Sequence, residues 1–367
     1  MHDPRIGKLA DLLVNYSVEV RPSDRVAIFS PDIARPLTDA LFLATLKAGG
    51  FPIVMSPPQQ TLELLFRQGS KEQIEYVHQP LAHITEEYDV RISVLAEENT
   101  RFLSRVDPQK MTLYSAARRH LMKTMMRRSA LGEFRWTIAP YPTNAMAQDA
   151  DMSLDEYANF LFGACMPDLN DPVGYWKNFS AKQQRIIDWL AGKETVHITA
   201  PDTDIHFNIK GRTWENCDGK KNMPDGEVFT GPIEDSAEGH VYFSYPAIHG
   251  GHEVTGVRLW FEKGRAVRAT AEKNEDYLNQ ILNTDAGARY LGELAIGTNE
   301  GITAFTREIL FDEKIGGSFH MALGAGIPET GAKNESAIHW DMVCDLRQGG
   351  EIRVDGELFY KDGKFVI

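Results

Sequence analysis

His339 and Asp341 stand two residues apart in "NESAIHWDMV", with Trp340 between them and apolar residues on either side. In a strand, residues i and i+2 point to one face, so the imidazole and the carboxylate would share a site while Trp340 packs behind it. That arrangement suits two metal ligands supplied by a rigid element. Three further stretches set acids or imidazoles among apolar residues: Glu227 in "NMPDGEVFTGP", Glu293 in "RYLGELAIGTN", and Asp312, Glu313 and His320 in "ILFDEKIGGSFHMALG". A buried carboxylate is costly unless it is paired or binds a metal. The nearby bases, Lys314 and Lys333, are expected to be solvated. Glu227, Glu293, Glu313 and Asp341 then carry four negative charges beside two neutral imidazoles, which two divalent cations would balance. Mixed nitrogen and oxygen donors suit zinc, cobalt or manganese better than an all-oxygen calcium site.

No single motif decides this. A lone Glu after a turn is more often solvated, a lone core His is more often simply hydrogen-bonded, and H-x-D is a weak pattern. Asp312 reads as a turn cap, and His206, His249 and His252 read as surface or structural imidazoles. On the residues alone, the reading stops at a candidate metal site.

The elements that must hold these residues belong to one half of the chain. From about residue 195 the sequence turns to short alternating strands and glycine turns, such as "HVYFSYPAI" and "EIRVDGELFYKDGKFVI". In "VRLWFEKGRAVRATA", two β-rich runs flank "EKGR", a hairpin signal. One helix is predicted around "NEDYLNQILN". This half is expected to be a sheet-rich α+β C-terminal metal-binding domain, residues 196–367. Residues 1–195 read as an α/β N-terminal domain. A helix over 5–16 precedes a strand at "RVAIFS", a helix ending at Gly49 and Gly50, and a strand at "FPIVMS"; that order predicts a parallel sheet. Residues 60–190 read as mainly helical, with strands at "ISVLAE" and "RWTIAPYP". The turn after the first strand lacks G-x-G-x-x-G, so no dinucleotide fingerprint is present. The basic run "SAARRHLMKTMMRR" reads as a solvated helix face or a subunit contact.

Composition narrows the classes. The 367 residues are 43% hydrophobic and 25% charged, with a formal charge of −13. That acidity argues against nucleic acid, whose binding needs clustered positive charge. No run of 18 uncharged apolar residues occurs, so no membrane span is expected. Three sparse cysteines, Cys165, Cys217 and Cys344, make no disulfide framework, and the N-terminus carries charges where a signal peptide would be apolar. A cytoplasmic protein is expected.

Taken in order, "NMPDGEVFTGP", "GVRLWFEKG", "TDAGARYLGELAIGTN", "ILFDEKIGGSFHMALG", "PETGAKNESAIHWDMVCDLR" and "DGELFYKDGKF" resemble the blocks of the M29 metallopeptidases, the aminopeptidase T and aminopeptidase S group. The first half is similar more loosely, at "KLADLLVNYS". The resemblance implies a metal-dependent aminopeptidase that removes N-terminal residues from peptides through a water activated by two divalent metal ions. It implies Glu227, Glu293, Glu313, His320, His339 and Asp341 as the ligands. Such a mechanism needs a carboxylate to move the proton, and Glu293 is the candidate for that second role. The resemblance further implies a peptide substrate with a free N-terminus and a cytoplasmic homodimer. One position departs from the pattern. Relatives carry a Tyr seven residues after the His of "HMALG", where this chain has Ile327. That Tyr is thought to stabilise the transition state, so a catalytically weakened or inactive member that binds peptide or metal is the alternative expectation. His249, where a Tyr is expected, is a candidate compensating donor.

Overall fold

A computed structural model describes residues 3–367. The chain forms two compact units, Met1–Tyr175 with Gly219–Pro224, and Trp176–Asp218 with Asp225–Ile367. In the first unit, β1 (Arg25–Phe29), β2 (Phe51–Met55), β3 (Val90–Leu95) and β4 (Arg135–Pro140) form a sheet in the order β2-β1-β3-β4. Every pairing in it is parallel. Val26, Ala27 and Ile28 of β1 are fully buried, the continuous apolar run expected of a central parallel strand. The basic run lies in the helix Pro108–Ala130. Two of its arginines turn inward rather than to water: Arg118 donates to the Ile74 and Tyr76 carbonyls, and Arg128 to those of Thr85 and Tyr88. They satisfy carbonyls at the ends of two short helices, which favour cations there.

The second unit opens at Trp176, within the helix Pro172–Leu190, and Leu190, Ile186 and Trp189 of that helix join this unit's core. Its strands are β5 (Thr195–Ala200), β6 (Thr203–Asn208), β7 (Glu215–Cys217), β8 (Glu227–Thr230), β9 (Glu238–Tyr242), β10 (Ala247–His249), β11 (His252–Val254), β12 (Arg258–Glu262), β13 (Arg265–Thr270), β14 (Leu291–Gly297), β15 (Ser318–Gly324), β16 (His339–Asp345), β17 (Glu351–Val354), β18 (Glu357–Lys361) and β19 (Lys364–Phe365). Among the described residues they make an eight-stranded sheet, β13-β12-β9-β6-β5-β17-β18-β19, a five-stranded sheet, β16-β15-β14-β8-β7, and the β10-β11 pair. The pairings in all three are antiparallel. β12 and β13 form the expected hairpin, turning through Lys263 and Gly264 at φ 49° and 77°, the left-handed pair that a tight turn between twisted strands requires. The predicted helix spans Glu275–Ile281.

The five-stranded sheet positions the acids and imidazoles. One face carries Leu294, Ile296, Phe319, Met321, Leu323, Trp340, Met342 and Cys344 into a core cluster shared with Val196, Ile198, Ile205 and Phe207 of the larger sheet. Alternation turns Glu293, His320, His339 and Asp341 to the other face. Leu291 also joins the core cluster, although it is an odd number of residues from Leu294. A bulge between Leu291 and Glu293 accounts for this, because the extra residue restores the phase of the strand.

Candidate metal centre

The polar face has a floor of small residues. Ala322 lies opposite Glu293 on one side and Asp341 on the other, Ala295 opposite His320, Gly297 opposite Glu227, and Gly324 opposite His339. Longer side chains therefore converge over alanine and glycine without competing for volume. His320 Nε2 lies 3.5 Å from Glu227 Oε2, 3.6 Å from Glu293 Oε1 and 3.9 Å from Asp341 Oδ1. His339 Nε2 lies 3.1 Å from Glu293 Oε2 and 3.5 Å from Asp341 Oδ1. Glu313 follows the short helix Ile309–Asp312 and comes together with His320 and Asp341. All six residues singled out in the sequence thus meet in one cluster. They group as overlapping triads, with Glu293 common to Glu227–Glu293–His320 and to Glu293–His339–Asp341.

Burial is deep where charge is densest. Glu227, Glu293 and His320 are buried, while His339 keeps a third of its side chain exposed and forms the open side. Both rings are held from behind. His320 Nδ1 donates to the Glu313 carbonyl at 2.9 Å and His339 Nδ1 to the Ala325 carbonyl at 2.8 Å. A carbonyl only accepts, so Nδ1 carries the proton in each ring and Nε2 is presented to the carboxylates. The carboxylates around each Nε2 favour a second proton on the ring. Burial opposes that charge, but Glu293, Glu227 and Asp341 outweigh it and push His320 up to about 10. For His339, Asp341 and Glu293 likewise overcome burial and push it up to about 11. Burial raises Glu227 to about 8 and also raises Glu313, with the Asp341 charge adding to it. Burial works against Glu293 and Asp341 too, yet the imidazoles hold both below their ordinary values.

Two atoms test whether a cation fits. Glu227 Oε2 and Asp341 Oδ1 are buried oxygens without a hydrogen-bond donor. An acceptor left bare inside a protein is expensive, and both point into a cluster of carboxylates and imidazole Nε2 atoms that would present lone pairs to a cation once the Nε2 protons leave. The donor set of imidazole nitrogens and carboxylate oxygens is that of a zinc, cobalt or manganese site.

Lys314 differs from its expected solvation. It is fully buried, with Nζ on Glu313 Oε1 and 3.6 Å from Glu227 Oε1. A lone lysine beside an apolar run gives no hint of this in sequence; only its position behind two buried acids does. Asp312 behaves as a turn cap, accepting from the Thr306 backbone N–H at 2.7 Å and its hydroxyl at 3.1 Å. His249 does not face the cluster. Its ring packs 5.0 Å from that of Trp340, on the core side of β16, and Nδ1 bonds the Tyr277 hydroxyl. Ile327 is half-buried and precedes the turn Pro328–Thr330, two residues beyond the carbonyl that holds His339.

Fold and site together describe a two-unit protein whose sheet-rich part carries a buried carboxylate–imidazole cluster of metal-binding character. The chain belongs to the thermophilic metalloprotease (M29) family, whose sequence profile matches residues 2–365. Aminopeptidase 2 of Geobacillus stearothermophilus is 25% identical over 99% of this chain and 95% of its own. Wild-type AmpT from Thermus thermophilus shares the fold, with a TM-score of 0.84 at 23% identity over 99% of both chains. The 2,5-dihydroxypyridine dioxygenase of Pseudomonas putida also shares it, at a TM-score of 0.61 and 14% identity over 98% of this chain and 96% of that one. The architecture therefore hosts more than one chemistry, and function must be argued from the site.

Proposed function

We propose that this protein is a metal-dependent aminopeptidase that removes N-terminal residues from peptides. Glu227, Glu293, Glu313, His320, His339 and Asp341 would hold two divalent cations of the zinc, cobalt or manganese class. The observation that carries this reading is the pair of donorless buried oxygens, Glu227 Oε2 and Asp341 Oδ1, facing two imidazoles whose other nitrogens are already committed. Bound there, the cations would polarise the scissile carbonyl and acidify a water. The rest falls to the chain. The Glu313 and Ala325 carbonyls fix both rings. Glu293, common to both triads, is the carboxylate to take the water's proton and return it to the leaving amine. Lys314 offsets part of the carboxylate charge. With it in place, two divalent cations exceed the remaining negative charge by one, which departure of one proton from the water cancels. The free α-amine of the substrate, cytoplasmic location and a homodimer follow from the family reading, and three sparse cysteines that make no disulfide framework fit a reducing compartment. Protein reconstituted with cobalt or zinc should release leucine from a leucyl-anilide and stop with a chelator. No release with several metals and several N-terminal residues overturns the proposal.

Ile327 supports a second reading, a family member that keeps the site but turns over weakly, because an isoleucine offers the developing oxyanion no donor. Activity that arises only in Ile327→Tyr would favour it.

A further inference from the structure

The outer face of the eight-stranded sheet carries a separate set of metal-ligating side chains. Val196, Ile198, Ile205 and Phe207 point into the core, so alternation sends His197, Asp204 and His206 outward. His197 lies directly opposite His206 across β5 and β6, and their ring centroids are 5.9 Å apart. Asp204 shares the face with His206 two residues away, and its Oδ1 is 2.8 Å from His197 Nε2. The donor atoms of all three lie within 4.8 Å of one another. His240 of β9 stands opposite Asp204 and adds a third imidazole to the row. The neighbouring cation, Arg353, lies opposite His197 but is turned to Glu351 and the Gly356 carbonyl.

We propose that His197, His206 and Asp204 form a surface site for a divalent transition cation of the zinc, copper or nickel class. Two imidazoles and one carboxylate match the preference of these ions for mixed nitrogen and oxygen ligands. Donors bound at about 2.0–2.2 Å lie roughly 3–3.5 Å apart, wider than the 2.8 Å His197–Asp204 contact and within the 4.8 Å span of the three, so side-chain rotations suffice and both strands stay in register. The cation replaces the present His197–Asp204 contact, and in doing so ties β5 to β6 from outside. None of these residues touches the cluster on the smaller sheet, so the site stands whether or not that cluster acts on peptides.

The test uses the untagged chain with its main cluster first filled with zinc. Copper(II) nitrilotriacetate, a chelate with coordination positions left for imidazole, is then titrated and followed by electron paramagnetic resonance. One saturable equivalent with hyperfine coupling to two imidazole nitrogens is expected. His197→Ala and His206→Ala should each weaken binding at least ten-fold and remove one nitrogen coupling, with thermal unfolding unchanged in the absence of copper. Asp204→Asn should weaken it less, and His240→Ala should leave both couplings intact. Absence of a saturable equivalent, or one that survives both His197→Ala and His206→Ala, overturns the proposal. Loss in His240→Ala without loss in His206→Ala overturns the assigned ligands.

Discussion

Lys314 is the residue whose role was least legible and whose removal should be most informative. Its ammonium is enclosed with Glu227 and Glu313. Replacing one member of a buried ion pair leaves an uncompensated charge, which costs about 3–5 kcal/mol. Lys314→Met should therefore lower the stability of the metal-free chain by that order in urea unfolding, and loading with metal should recover part of the loss. A metal-free stability equal to wild type would show that the lysine balances nothing. At Ile327 the expected change is in rate. Removing one oxyanion donor typically costs about 10²–10³ in kcat, so Ile327→Tyr should raise kcat by up to that factor with KM little changed. An unaltered kcat means another group already serves. The carboxylates and imidazoles could be found from sequence because each breaks an apolar pattern. Lys314 could not, because a lysine between an acidic pair and a glycine turn looks the same whether its head reaches water or folds inward.

At the scale of elements, the site depends on β14, β15 and β16 holding register over a floor of alanine and glycine. Gly324 is the most exacting point. Its φ is +104°, and a Cβ there would lie 2.2 Å from the Ile338 carbonyl oxygen. It also pairs with His339. Gly324→Ala should cost about 1–3 kcal/mol in strain and weaken metal binding by displacing His339, read together by thermal unfolding and metal titration. Intact metal affinity in a destabilised variant would separate the fold's need for glycine from the site's. Here the sequence was a good guide to strand order along the chain and to the face each candidate ligand occupies, because a period of two leaves no freedom once Trp340 and Met342 are in the core. It did not reveal the bulge at Leu291, which depends on packing across the sheet, nor that Ile186, Trp189 and Leu190 pack into the core of the second unit, since an amphipathic helix does not disclose which core its apolar side meets.

For the whole molecule, the cluster makes stability depend on pH and on metal in opposite ways. Without a cation, His320 and His339 have folded pKa values of about 10 and 11, above the ordinary 6.5. Their contribution is complete below pH 6.5 and is lost as pH rises toward those values. Glu227, raised to about 8, favours its protonated form in the fold, so its contribution also falls, between about pH 4.5 and 8. Metal-free protein should thus lose stability steadily from mildly acidic to alkaline pH. Metal competes with those same protons. Loading at pH 7 should release both imidazole Nε2 protons and most of one from Glu227, visible as a calorimetric enthalpy that changes with the ionisation enthalpy of the buffer. An enthalpy independent of buffer would contradict the protonation scheme. A cation at a thousand times its Kd should add about 4 kcal/mol of stability, lost on chelation.

The two ring anchors have a further consequence. His320 is fastened to the carbonyl of Glu313 and His339 to that of Ala325, so each loop bordering β15 is tied through one imidazole to the same central point. Filling that point should quiet both loops at once. Slowed amide exchange over residues 313–317 and 325–338 would then report occupancy directly, giving a readout of the site that requires neither substrate nor turnover.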